Sequence, residues 1–155
     1  CKAVVKRSRN VAEGMSKGVQ YLMKKNKIEV IKGYGTLKPG KKVSVKSDDG
    51  KETEYSANNI IIATGARSRQ LPSLPQDGKK IIGYREAMSL DKQPKKMLVV
   101  GSGAIGIEFA YFYNAMGTDV TLSELMPTIV PVEDEEVSKQ LGRCFKKQGI
   151  TFMTD

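Results

Sequence analysis

Three glycines in the spacing Gly-x-Gly-x-x-Gly limit the fold of this chain more than any other feature of its sequence. An apolar run, Met97–Val100, comes before them and predicts a buried parallel strand. Gly101, Gly103 and Gly106 follow, and residues 104–116 have the pattern of a helix. The glycines therefore lie at a strand-to-helix turn, which is the context that gives this spacing its meaning.

The sequence after this turn predicts the rest of an α/β unit. A second strand is expected at Asp119–Leu122, and a second helix at residues 134–148, with Val137, Leu141 and Phe145 on one face. Gly149 ends that helix before a third strand at 150–153. Right-handed crossovers would assemble these elements into a Rossmann-like β-α-β-α-β half.

Each glycine has a separate physical role in such a turn. Gly101 allows the tight bend, Gly103 lets a pyrophosphate approach the backbone, and Gly106 lets the helix pack closely on the sheet. The N-terminus of the helix presents unpaired N–H groups and a partial positive charge. The motif therefore predicts binding of a dinucleotide, and the alternative is a tight turn without a ligand.

Glu124 directly follows the second predicted strand, about 20 residues after the glycines. A carboxylate there can accept hydrogen bonds from the ribose hydroxyls of NAD and would repel the 2′-phosphate of NADP. Neither Lys nor Arg occurs between Glu124 and Val132 to receive that phosphate. We therefore predict NAD, the alternative for Glu124 being a solvent-facing side chain at a strand end.

The first 66 residues have a different pattern. Residues 2–26 predict one amphipathic helix. Short β-type runs follow and predict an antiparallel meander with strands at Ile28–Ile31, Val43–Val45 and Glu52–Tyr55. Asn59–Gly65, with three consecutive isoleucines, predicts a strand buried between two layers.

Composition excludes several kinds of function. The 155 residues contain no His, so this chain supplies neither an imidazole base nor a His metal ligand. Cys1 and Cys144 match no redox pair and no metal-binding spacing, and no metal is expected. No apolar run approaches the roughly 20 residues of a membrane-spanning helix.

The net charge of +9 is concentrated in the first part of the chain. Residues 1–66 hold 14 Lys or Arg against 6 Asp or Glu, and residues 67–155 hold 12 against 11. Because few aromatic residues accompany the lysines, a solvated basic face is favoured and no nucleic-acid partner is expected.

The order of these motifs resembles the flavin-dependent disulfide reductases, and the dihydrolipoyl dehydrogenase branch of that family most closely. The resemblance rests on Ile60–Gly65, on the glycine motif through Glu108, and on Val120–Glu124. The resemblance to this branch is made more specific by two further segments, Gly33-Tyr34-Gly35 and Ala12-Glu13-Gly14. It extends along essentially the whole chain.

The resemblance implies a division into three parts. Residues 1–66 would be the last part of a first FAD-binding segment, residues 67–93 a connection, and residues 94–155 the first half of an NAD domain. Two groups of residues would bind the cofactors FAD and NAD. The FAD group is Gly35, Thr64, Gly65 and Ala66; the NAD group is Gly101, Ser102, Gly103, Ala104, Ile105, Gly106, Ile107, Glu108 and Glu124.

The resemblance also implies parts that this sequence lacks. The family's first FAD phosphate loop, its Cys-x-x-x-x-Cys disulfide and its His–Glu pair are absent, so the chain looks like an interior piece of a longer protein. No catalytic residue is expected here, and the chain alone should be inactive. Tyr84-Arg85 and Thr128 depart from residues frequent in the family and leave the subfamily open.

The whole protein would oxidise dihydrolipoamide on the acyltransferase component of 2-oxoacid dehydrogenase complexes. It would be a homodimer in the bacterial cytoplasm or the mitochondrial matrix. The alternatives are another FAD-dependent disulfide reductase, an NADH oxidase, or a non-catalytic NAD-binding module.

Overall fold

A computed structural model describes residues 2–155, which form two compact units. Residues 9–67 make up one unit, and residues 68–155 with the beginning of the first helix make up the other. The architecture is mixed α/β, with one antiparallel and one parallel three-stranded sheet, as predicted. No helix among residues 2–155 is long and apolar enough to span a membrane.

The chain starts with a helix and an antiparallel meander. Helix α1 covers Lys2–Lys25, as predicted for residues 2–26. The meander consists of β1 (Tyr34–Lys38), β2 (Lys42–Lys46) and β3 (Glu52–Ser56), in the order β1-β2-β3.

The predicted first strand, Ile28–Ile31, is wrong, because β1 lies at Tyr34–Lys38. Lys38 and Lys42 are paired on either side of the turn between β1 and β2. The residues immediately before this turn, Tyr34–Lys38, therefore form the strand that pairs with β2. Strand β2 ends at Lys46, which pairs with Tyr34, and leaves no partner for residues 28–31.

The predicted buried strand at Asn59–Gly65 is also wrong. The segment has no strand structure, and Ile61 and Ile62 are 91% and 67% exposed. A strand needs a neighbour for its backbone N–H and C=O groups. No described residue pairs with this segment in either sheet.

Residues 68–155 fold largely as the sequence predicts. A short helix α2 precedes a parallel sheet in which β5 lies between β4 and β6. Helix α3 connects β4 to β5, and helix α4 connects β5 to β6. The elements are α2 (Tyr84–Ala87), β4 (Lys96–Val100), α3 (Ala104–Ala115), β5 (Asp119–Ser123), α4 (Glu135–Lys147) and β6 (Thr151–Met153).

The core of this unit lies between the sheet and its helices. The buried apolar side chains come from the helices α3 and α4, from strand β5 and from the segments that connect these elements. Partly buried Met97 and Val99 of β4 pack against them. The most buried are Ala110, Tyr113, Val120, Leu122, Ile129, Phe145 and Ile150.

Two burial predictions need correction. Strand β4 is parallel to β5 but is not buried on both faces, since Leu98 and Val100 are 59% and 49% exposed. Its alternate side chains face away from the core, and no described element covers them. On α4, Phe145 is buried and Leu141 packs against the core as predicted, but Val137 is exposed, and Ser138 and Gly142 are buried in addition.

Candidate functional site

The glycine bend connects β4 to α3 at the carboxyl end of the parallel sheet. Gly101 has a φ of +97°, a conformation that residues with a side chain rarely adopt. Its N–H donates to the carbonyl of Ser123 at 2.8 Å, which ties the bend to the end of β5. The carboxyl end of an open parallel sheet is where such folds bind ligands.

Gly106 allows the first turn of α3 to lie directly against the bend. A Cβ on this residue would lie 2.0 Å from the carbonyl oxygen of Gly101 and 3.0 Å from its carbonyl carbon. Real Cβ atoms essentially never come within 3.0 Å of such an atom. The glycine is therefore required by packing, as the sequence predicts.

The N-terminus of α3 is open toward solvent beside Gly103. Gly103 caps the helix without a side-chain hydrogen bond, and its carbonyl accepts from the N–H of Ile107 at 3.1 Å. Helix geometry leaves the N–H groups of Ala104, Ile105 and Gly106 without an intrahelical acceptor.

Space is available at this helix end for an anionic group. No described atom beyond its chain neighbours lies within 4 Å of a Cβ built on Gly103, and Ala104 is exposed. The first turn of α3 carries no acidic residue. Unpaired N–H groups, the helix dipole and an open approach are what a diphosphate requires, so these residues fit the phosphates of a dinucleotide.

Glu124 lies next to this bend. Its Oε2 accepts from the Ser102 N–H at 2.8 Å and from the Ser102 hydroxyl at 2.6 Å. Its Oε1 accepts from the N–H groups of Leu125 and Met126 at 2.8 and 3.1 Å. The hydroxyl of Ser102, and then the backbone N–H groups, hold the pKa of Glu124 below its usual value. The side chain is therefore an anion at neutral pH.

The two oxygens of Glu124 have different surroundings. Oε2 contacts Ser102, which is 0% exposed. Oε1 contacts Leu125 and Met126, which are 81% and 48% exposed. A carboxylate has about four acceptor positions, and these bonds match that number. A ribose whose hydroxyls bind this carboxylate would therefore share or displace the hydrogen bonds that Oε1 accepts from Leu125 and Met126. The displaced N–H groups could then donate to water.

Ser102 lies at the centre of a buried polar cluster, although the sequence predicts it as a cofactor-binding residue. Its hydroxyl donates to Glu124 and accepts from the N–H of Val130 at 3.1 Å. The carbonyl of Val130 accepts from the hydroxyl of Ser138 at 3.2 Å. Val130 and Ser138, both missed by the sequence analysis, are 4% and 3% exposed.

The other predicted site residues are distributed along two segments. Glu108 is exposed and Ile107 half-buried, both in the first turns of α3. Gly35 lies in β1, and Thr64, Gly65 and Ala66 lie in the exposed segment that follows the meander. Gly65 has a φ of +75°. No contact assigns a function to these last residues.

Among the described residues, Cys144 is a free thiol, and no group of His, Cys, Asp and Glu could hold a metal ion. The other cysteine, Cys1, lies outside the described residues.

Comparisons with known proteins point in one direction. Residues 2–155 match the family described as pyridine nucleotide-disulphide oxidoreductase. Dihydrolipoyl dehydrogenase of Zymomonas mobilis is 48% identical over 97% of this chain, and that of Chlorobaculum tepidum is 53% identical over 95%. The chain covers 32% and 31% of these relatives.

A solved structure gives the same picture. The crystal structure of LpdA from Mycobacterium tuberculosis has a TM-score of 0.88, with 29% identity over 97% of this chain and 34% of that one. The chain thus spans about a third of the length of the proteins that it matches.

Proposed function

Because this chain belongs to the pyridine nucleotide-disulphide oxidoreductase family, we propose that it provides an NAD-binding surface within a dihydrolipoyl dehydrogenase. The relatives that carry that name support the choice within the family. In this proposal the whole protein oxidises dihydrolipoamide in 2-oxoacid dehydrogenase complexes and acts as a homodimer.

The proposal rests above all on the open N-terminus of α3 beside Glu124. The N–H groups of Ala104, Ile105 and Gly106 would bind the diphosphate, and Gly103 would leave room for it. The carboxylate of Glu124, tied to the same bend by two hydrogen bonds to Ser102, would bind the ribose next to the diphosphate.

The charge of Glu124 supports NAD rather than NADP. Its lowered pKa keeps the side chain anionic at neutral pH, so it would repel a 2′-phosphate. No Lys or Arg lies between Glu124 and Val132 to compensate for that repulsion. NADH should therefore bind at least about tenfold more tightly than NADPH, which corresponds to about 1.4 kcal/mol.

The FAD contacts are proposed from the family alone. Gly35, Thr64, Gly65 and Ala66 would line the flavin nucleotide, and Glu108 would approach the nicotinamide. When bound, FAD and NAD⁺ would together carry the electron pair taken from dihydrolipoamide. This chain's own contribution is to bind and orient the nucleotides. Alone it should show no lipoamide-dependent NADH oxidation.

Titration of the chain with NADH and NADPH, followed by nucleotide fluorescence, tests the proposal. Glu124→Gln is a matched variant because it keeps the size of the side chain and removes its charge. The wild type should prefer NADH, and the variant should bind NADPH with less discrimination. Equal affinities of the wild type for both nucleotides, or binding of neither, would refute the proposed site.

A further inference from the structure

The two oxygens of Glu124 differ in what holds them, and one buried side chain causes the difference. Ser102 is 0% exposed, and its N–H and its hydroxyl both donate to Oε2, at 2.8 and 2.6 Å. Oε1 accepts only from backbone N–H groups next to exposed side chains. The carboxylate is therefore fixed at one oxygen by a buried residue, and at the other it is held only by backbone N–H groups whose bonds a ligand could share or displace.

Ser102 is itself held from the opposite side. Its hydroxyl accepts from the N–H of Val130 at 3.1 Å, and its carbonyl accepts from the same N–H at 3.2 Å. The Ser102 hydroxyl accepts one hydrogen bond from Val130 and donates its single hydrogen to Glu124. Since Ser102 is buried, a rotation of its side chain would break both bonds where bulk solvent cannot replace them, which is unfavourable.

The backbone around this contact is strained, which indicates that the arrangement is held firmly. Val130 has a φ of +45°, a conformation that is a genuine outlier for a β-branched residue. Such strain persists only where the surroundings fix it, and it is concentrated at functional sites. Here the hydroxyl of Ser138 and the N–H of Glu133 donate to the Val130 carbonyl, at 3.2 and 3.0 Å.

We infer that Ser102 is a specificity-determining positioning residue, which fixes Oε2 of Glu124 and thereby presents Oε1 to the ribose hydroxyls of the nucleotide. This inference rests on the proposed function, since it concerns the same site. It differs from the sequence-based prediction, in which Ser102 itself contacts the cofactor. A fixed anionic oxygen favours a hydroxyl donor and disfavours a phosphate, whereas a carboxylate free to turn away would discriminate less.

Two matched variants separate positioning from general stability. Ser102→Ala removes the hydroxyl that contacts Glu124. Ser138→Ala removes a hydroxyl that is also buried and that donates to the Val130 carbonyl, but does not contact Glu124. If Ser102 acts only by filling space or anchoring Val130, the two variants should behave alike.

The first measurement is the NADH and NADPH affinity of the 155-residue chain. In Ser102→Ala, NADH should bind roughly tenfold more weakly, and the preference over NADPH should shrink by a similar factor, as expected for loss of one hydrogen bond to a charged group. Ser138→Ala should keep the wild-type preference.

The second measurement is an NMR titration of the Glu124 carboxyl carbon without nucleotide. The hydroxyl of Ser102 is the largest cause of the lowered pKa of Glu124, so this pKa should rise in Ser102→Ala and stay unchanged in Ser138→Ala. A purely structural role would not move this titration selectively.

The outcomes are distinct. An unchanged Glu124 titration in Ser102→Ala, or equal losses of preference in both variants, would overturn the role of Ser102 even if the wild type binds NADH well. A wild-type chain that binds neither nucleotide would refute the proposed function, and the specificity role with it.

Discussion

Substitution of two glycines in one bend should separate ligand binding from stability, although each adds a single methyl group. In Gly106→Ala the new Cβ would lie 2.0 Å from the carbonyl oxygen of Gly101, against a minimum of 3.0 Å for real contacts. The atom in its way is backbone and cannot turn aside as a side-chain end could. The bend and the first turn of α3 must therefore separate by about 1 Å.

The size of this effect follows from two opposing contributions. Overpacking of this kind typically destabilises a fold by roughly 1–3 kcal/mol. Alanine in place of glycine within a helix returns up to about 1 kcal/mol. Because the clash is with a backbone atom, the cost should lie at the upper end of that range, and Gly106→Ala should lower the free energy of unfolding by about 2 kcal/mol. It should also weaken NADH binding, because the N–H groups of the bend no longer converge on one position.

Gly103→Ala should weaken NADH binding while leaving the stability of the fold almost unchanged. Its φ of −66° and ψ of 177° are open to alanine, and no described atom beyond its chain neighbours lies within 4 Å of the added Cβ. The free energy of unfolding should change by no more than about 0.5 kcal/mol. The methyl group would, however, stand where the diphosphate approaches, so NADH affinity should fall at least about tenfold.

Urea unfolding followed by circular dichroism gives the stabilities, and fluorescence titration with NADH gives the affinities. The reasoning is refuted if Gly103→Ala binds NADH as tightly as the wild type. It is refuted equally if Gly106→Ala unfolds at the same urea concentration as the wild type.

Three further predictions concern charge and helix stability. Ser102 holds the pKa of Glu124 below its usual 4.5, so the ionised side chain stabilises the fold above about pH 4.5 and loses that contribution as the pH falls through the lower folded value. Urea midpoints measured from pH 7 to 3 should therefore fall less steeply in Glu124→Gln than in the wild type. Equal slopes would contradict this. In Gly14→Ala, within helix α1, the new Cβ has no described atom within 4 Å beyond its chain neighbours and the backbone of its own helix. The substitution should raise the unfolding free energy by up to about 1 kcal/mol, and an unchanged or lower thermal midpoint would count against it. Asp134 caps α4 by accepting a hydrogen bond from the Glu136 N–H at 2.8 Å. Asp134→Ala should therefore destabilise the fold by about 1 kcal/mol, whereas Asp134→Asn should be nearly neutral. Equal urea midpoints for the two variants would refute the cap.

The parallel sheet and its helices could be predicted because their signals are local. The glycines of the bend, the periodicity of residues 104–116 and the stop at Gly149 each act within a few residues of chain. Long helices with such periodic patterns, including α1 and α4, were accordingly predicted to within two residues at each end.

Elements that depend on a partner were not predicted correctly. Asn59–Gly65 has the composition of a buried strand, yet a strand forms only where a neighbour supplies hydrogen bonds, and none of the described residues does so. The choice of Tyr34–Lys38 over Ile28–Ile31 was set by the turn at Pro39-Gly40, which determines register more strongly than apolar content.

The candidate site was predictable in its residue types but not in its contacts. Glycine spacing and the position of Glu124 after β5 can be read from the sequence. The bonds that join Ser102 to Glu124 and Val130 cannot, because they connect residues 22 and 28 positions apart. A positive φ at Val130 has no signal in the sequence at all.

The central claim is that the bend at Gly101–Gly106 and the carboxylate of Glu124 form one nucleotide-binding surface. Titration of the ¹⁵N-labelled chain with NADH, observed through its backbone amides, tests this most directly. Saturable shifts should be largest at Ala104, Ile105, Gly106 and Leu125 and absent from strands β1 to β3. Shifts that are confined to the meander, or spread evenly over the basic surface of the chain, would contradict the claim.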